Sequence, residues 1–188
     1  MAGTSAPNMS NLDLLNDTLL HMEWADARLW TSVLRSPAAI SDSIIRDRLF
    51  HIHVVQWAFF HFWLERPLPE FPEQSKFPAL TSIAAWGHRT HQDIAAFRSR
   101  MEAAVLERPV NVPWVADFET YFGKAAAEIN LAQTIVQVTS HSAHHRGQVN
   151  ARLRELSGEP PYIDFIVWAW LGKPAADWTH LSTAEVQH

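Results

Sequence analysis

Cysteine is missing from all 188 residues. That excludes disulfides, thiolate metal sites and a cysteine nucleophile, so any bound metal has to use nitrogen and oxygen ligands. Redox chemistry therefore says nothing about compartment. A long Lys/Arg cluster is also missing, and 15 Lys+Arg against 20 Asp+Glu leave a formal charge of -5. The basic footprint of a nucleic-acid binder is absent, and no nucleic-acid partner is expected. The longest apolar run, "VVQWAFFHFWL", is too short to cross a bilayer and carries a histidine, so no membrane partner is expected either. The opening "MAGTSAPNMSN" lacks the charged and apolar regions of a signal peptide and reads as a flexible leader over residues 1–10 of a cytoplasmic protein. Repeats and low-complexity tracts are absent.

What the chain has in excess is tryptophan, nine residues, and histidine, eleven. Its length fits one domain with one core, placed at residues 11–171 with a tail at 172–188. From Asn11 to about Arg35, the residues Leu12, Leu15, Leu19, Met22, Leu29 and Val33 recur at spacings of three and four, the pattern of an amphipathic helix. "SPAAISDS" breaks it, and Ser41 or Ser43 can cap a second helix running to about Arg66. Four prolines in "PLPEFPEQSKFP" then force an extended connection.

A third helix is predicted from about Leu80, with Thr81 or Ser82 as cap, through "SIAAWGHRTHQDIAAFRSRMEAAVL". The stretch "ERPVNVPWVADFETYFG" reads as irregular or as a short hairpin around Val110, Val112 and Trp114. The fourth helix is placed from about Lys124 to Leu156, ended by "SGEPP" with Gly158 at a C-cap position. A short closing helix fits "YIDFIVWAWLG". The fold class is all-α, a four-helix bundle with a short C-terminal helix. Trp57, Trp63, Trp168 and Trp170 read as core or pocket wall.

The stretch "TSHSAHHRGQV" concentrates the chemistry. At about 100° per residue, His141 and His145 share one helix face, the spacing with which two imidazoles grip one metal ion. The apolar stripe Leu131, Ile135, Val138, Ser142, His145, Val149, Leu153, Leu156 puts His145 on the core seam with His141 at its flank, and His144 lies farther round. A third ligand is sought on the second helix, among His51, His53 and His61. His51 and His53 point to opposite faces, and periodicity does not choose between them. Stripes through Ile44, His51, Val55, Ala58 and Phe62 and through Leu49, His53, Trp57, Phe60 and Leu64 make that helix apolar on both sides, which points to a subunit partner and a homodimer. His88 and His91, among Arg89, Gln92 and Asp93, read as a solvated face, as does His21 beside Met22 and Glu23. His180 and His188 lie in the tail, read as having no partners.

The string "HSAHHRGQVNARLRELSGEPPYIDF" resembles the fourth-helix signature of the DinB-like family, with His141, His145, Arg146, Gly147, Gln148 and Asp164 at its key positions. "LFHIHVVQWAFFHFWL" resembles that family's second-helix pattern, in which a histidine precedes Gln-Trp, and so selects His51. "HMEWADARLW" resembles its first-helix Trp-Ala-Asn pattern, with Asp26 where Asn is common. The resemblance spans roughly residues 12 to 171. It implies an up-down-down-up bundle and a divalent metal, zinc or nickel, held by His51, His141 and His145 with open positions for water or substrate. It also implies a low-molecular-weight thiol as a possible cofactor and a small-molecule substrate.

Such a site would activate a thiol or water for transfer to, or hydrolysis of, a small electrophile. Gln148, Arg146 and Asp164 are the supporting candidates: Gln148 orienting a ligand, and Arg146, pointing away from the seam, binding a carboxylate or pairing with Asp164. Gly147 within a helix implies a close neighbour, backbone or ligand. The rival reading is a non-catalytic helical module that binds a metal or a small ligand.

Overall fold

The computed structural model describes residues 9–184, and all regular structure among them is helical. Helix α1 (Asn11–Leu34) begins at a capping box in which the Ser10 side chain accepts from the Asp13 amide while the Asp13 carboxylate accepts from the Ser10 amide. Ser10 is thus part of the domain rather than of a frayed leader, and residues 1–8 lie outside the described residues. The break at "SPAAISDS" contains one turn of helix, α2 (Pro37–Ile40). Helix α3 (Ser43–Trp63) is capped by Asp42, not by the neighbouring serines. It stops at Leu64 because Glu65 turns left-handed (φ 54°) and Arg66 N–H closes back on the His61 carbonyl.

Helix α4 (Leu80–Arg98) starts without a side-chain cap, and the expected Thr81 and Ser82 lie inside it. It ends about two turns short of the expected end, giving way to a single 3-10 turn at Ala103–Val105. Helix α5 (Val115–Phe122) forms where irregular chain was expected. The expected hairpin is replaced by an isolated bridge of Pro109 with Asn130, flanked by Val110 N–H to the Ile129 carbonyl and Leu131 N–H to the Arg108 carbonyl. Helix α6 (Leu131–Glu155) begins seven residues later than expected, because Asn130 and Gln133 form a second reciprocal capping box. At its end Ser157 takes the left-handed position (φ 60°) and Gly158 donates to the Leu153 carbonyl at 2.8 Å. Gly158 serves as the residue beyond the cap, where a Cβ would press on that carbonyl at 3.2 Å.

Helix α7 (Phe165–Trp170) and helix α8 (Thr179–Ala184) complete the chain. The four long helices α1, α3, α4 and α6 bury a core that includes Met22, Trp30, Ile45, Leu49, Trp63, Ile83, Leu131 and Ile135. Each large apolar side chain taken out of water there contributes about 1.5–3 kcal/mol. Contacts pair Trp30 with His53 and Asp26 with Gln56 between α1 and α3, and His51 with His141 and Trp63 with Thr134 between α3 and α6. Both pairs of helices run in opposite directions. Between α3 and α4, His53 meets Trp86 and Trp63 meets Phe97, so these two run the same way.

Apart from Ile44, which is 49% exposed, both apolar stripes of α3 are buried or half-buried within the chain, against α6, α1 and α4. The double stripe is therefore intramolecular and carries no argument for a subunit interface. The tail is not free of the core: Trp178 is 8% exposed and stacks on His88 at 4.8 Å, and Thr31 meets His180 at 3.2 Å. Trp63 and Trp168 are core, as expected, whereas Trp170 is 77% exposed. His188 lies outside the described residues.

Candidate metal centre

Among the described residues, two groups of side chains bring three metal-capable atoms together: His51, His141 and His145, and the fully buried Asp26, His53 and His91. They lie on opposite faces of α3, as the 200° between His51 and His53 requires. The protons decide which of the two suits a cation.

In the first group, His141 Nε2 stands 3.2 Å from His51 Nε2 and 3.2 Å from His145 Nε2. His145 Nδ1–H donates to Gln148 Oε1 at 2.8 Å, and the Gln148 amide donates onward to His144 Nε2 at 3.0 Å. With its proton on Nδ1, His145 presents a bare Nε2 to the centre. His141 cannot satisfy both neighbours with one proton, and its Nδ1 is buried with no hydrogen-bond partner. Three imidazole nitrogens that converge on one point, with contacts that protons cannot all bridge, are unfavourable without a cation and favourable with one. Two ligands at about 2.0–2.1 Å on a tetrahedral ion stand about 3.3 Å apart, close to both observed distances. Burial, then the charge of His145, lowers the pKa of His51; burial, His145 and His51 lower that of His141 to about 4. Both rings are thus neutral and competent as ligands near pH 7.

The second group already has a proton for every acceptor. Asp26 Oδ1 accepts from Arg146 Nη1 at 2.8 Å, and Oδ2 accepts from the Gln56 amide at 2.7 Å and from His91 Nε2 at 2.9 Å. His53 Nδ1 donates to Gln56 Oε1 at 2.8 Å, and its Nε2 accepts from the Trp30 indole at 2.8 Å. A cation here would have to displace Trp30 and sit beside a buried guanidinium. Burial by itself raises the Asp26 pKa, but Arg146 and the His91 hydrogen bond outweigh it and hold the carboxyl well below the usual carboxylate range. Burial drives the His53 pKa down to about 4. This is a satisfied polar network in the core.

The two groups are joined by Gln56, whose amide also lies 3.1 Å from the Ser142 hydroxyl, in the turn of α6 between His141 and His145. Gly87 lets α4 come this close: a Cβ there would meet the His53 ring at 2.4 Å.

The structure thus brings His51, His141 and His145 together and sets Gln148 against His145. His53 is turned into the core, and His61 donates from Nδ1 to the Trp57 carbonyl, away from the centre. Arg146 does point away from the three histidines, but it is 2% exposed and paired with Asp26, so it is neither solvated nor bonded to Asp164. Arg146 and Asp164 line a different cavity, on the α1 side of α6. Gly147 has no close neighbour, since a Cβ there would meet no atom within 4 Å. His91 is 1% exposed rather than solvated, and His21 is half-buried and donates from Nε2 to the Ile163 carbonyl at 2.8 Å. Asp26 and His91 were not singled out for this network by sequence, because the partners that make it lie 65 and 120 residues apart in the chain.

No curated protein matches the chain. The model of the DinB family matches residues 3–176. The chain belongs to the DinB family.

Proposed function

We propose that this protein is a metal-dependent enzyme in which His51, His141 and His145 hold one divalent cation, zinc or nickel, and activate a thiol or water toward a small electrophilic substrate. The observation that carries this reading is the convergence of three Nε2 atoms whose contacts protons cannot all bridge. Three neutral imidazoles leave the cation its full charge and an open position, which lowers the pKa of a bound thiol or water toward neutrality.

The chain's own residues supply the rest. Gln148 keeps the His145 proton on Nδ1, and His51 and His141 are half-buried. Ser142 and Gln56 tie the ligand-bearing turn of α6 to the core network. A non-catalytic metal-binding module is the second reading, favoured by the lack of any carboxylate or cysteine among the atoms that meet at the centre.

Protein purified without an affinity tag should contain about one equivalent of metal by elemental analysis, and His145→Ala should lose it. A metal-free protein, or an unchanged metal content in His145→Ala, would overturn the reading. Loaded protein that stays inert across low-molecular-weight thiols and electrophiles would favour the module. A homodimer belongs to the same proposal, and sedimentation at micromolar concentration showing only monomer would remove it. No helix among the described residues is long and apolar enough to cross a membrane.

A further inference from the structure

Helix α6 has a second face that lines a cavity. A cavity of about 420 Å³ opens between α1, α6 and the segment leading into α7, lined on the α6 side by Ala143, Arg146, Gly147 and Asn150. Three observations there lack a structural purpose. Gly147 weakens the helix interior, yet no neighbour requires the missing side chain. Arg146 is buried and uses only Nη1, on Asp26, leaving further N–H donors of its guanidinium without a protein acceptor. Asn150 is nine-tenths buried and its Oδ1 has no hydrogen-bond partner.

The walls are otherwise rich in acceptors. Thr18 and Thr139 spend their hydroxyl protons on the Leu15 and Ile135 carbonyls and keep oxygen lone pairs free. The Asp164 carboxylate stands exposed at the rim, with Ile163 and Phe165 as the apolar side. Asp26 and Asp164 against Arg146 leave one net negative charge around the space, which disfavours a plain anion. A lone cation would leave the free N–H groups of Arg146 unmatched. A neutral zwitterion satisfies both ends.

We propose that this cavity binds a free α-amino acid with an apolar side chain. Its carboxylate sits on Arg146, its ammonium on Asp164 and Asn150, and its body lies against the bare backbone at Gly147. The site lies on a different face of α6 from the metal centre.

The test is isothermal titration of the full chain with L-leucine and L-phenylalanine, beside leucinamide, which lacks the carboxylate, and 4-methylpentanoate, which lacks the ammonium. At least one amino acid should bind saturably at one site per chain, and each truncated analogue of leucine should bind about tenfold more weakly or worse, the loss of one charged hydrogen-bonded contact. Gly147→Leu should fill the space and abolish binding while circular dichroism and metal content stay as in the wild type. Asp164→Asn, at an exposed position that does not endanger folding, should weaken binding about tenfold. No saturable binding of either amino acid, equal binding of the analogues, or wild-type binding by both variants would overturn the proposal.

Discussion

Gln148 is the residue on which the state of the metal ligands turns. Its Oε1 can only accept, so it holds the His145 proton on Nδ1 and bares Nε2. Gln148→Ala should keep all three histidines yet weaken metal binding about 10–100-fold, read by competition with a chelator; unchanged affinity would show that the hydrogen bond does not matter. His144, which accepts from the same amide, is exposed, so His144→Ala should leave metal stoichiometry intact. Helical phase separated these two histidines in advance, because positions on one helix are related by a fixed rotation. Phase could not separate His51 from His53, because both faces of α3 are buried and look alike as a pattern. The Trp30 N–H that occupies His53 Nε2 and the Gln56 Oε1 that takes its Nδ1 proton make the distinction, and Trp30 is a tertiary neighbour.

Individual helices carry their own consequences, and two glycines illustrate them with opposite signs. Gly147→Ala adds a methyl to open space in α6 and should stabilise the protein by up to about 1 kcal/mol in urea unfolding, the difference in helix propensity. Gly87→Ala in α4 puts the same methyl 2.4 Å from the His53 ring and should destabilise it by about 1–3 kcal/mol, through overpacking that outweighs the propensity gain. If both variants moved the same way, close approach would not be what Gly87 is for. Sequence shows only that each glycine sits within a helix. Element boundaries were similarly readable in part. The prolines before α4 and the Gly-Pro-Pro turn after α6 mark their breaks, but α3 ends on a glutamate in the left-handed conformation, which no residue type announces. The start of α6 did carry a signal, Asn130 with Gln133 three residues on, masked by the helix-forming run before it.

Across the molecule, the Asp26 network ties α1, α3, α4 and α6 together at the level of the metal ligands. Removing the carboxylate by Asp26→Ala leaves Arg146 buried and unpaired and should cost about 3–5 kcal/mol, measured by denaturant unfolding. A much smaller loss would mean that water enters to solvate the guanidinium. The same network makes stability depend on pH. His53 takes up a proton near 6.5 when unfolded but only near 4 when folded, so its contribution is complete above about pH 6.5 and is lost as pH falls toward about 4. Thermal unfolding at pH 7, 6 and 5 should show falling stability, and His53→Gln should flatten that slope. The all-helical class, the four long helices and the His141/His145 pair follow from the sequence alone, because periodicity and spacing within one helix are set by local backbone geometry. The third ligand's competitor in the core, the burial of Arg146 and His91, the docking of Trp178 and the cavity at Gly147 were decided only by tertiary structure. Each depends on which protons and which surfaces meet across tens to more than a hundred residues of chain.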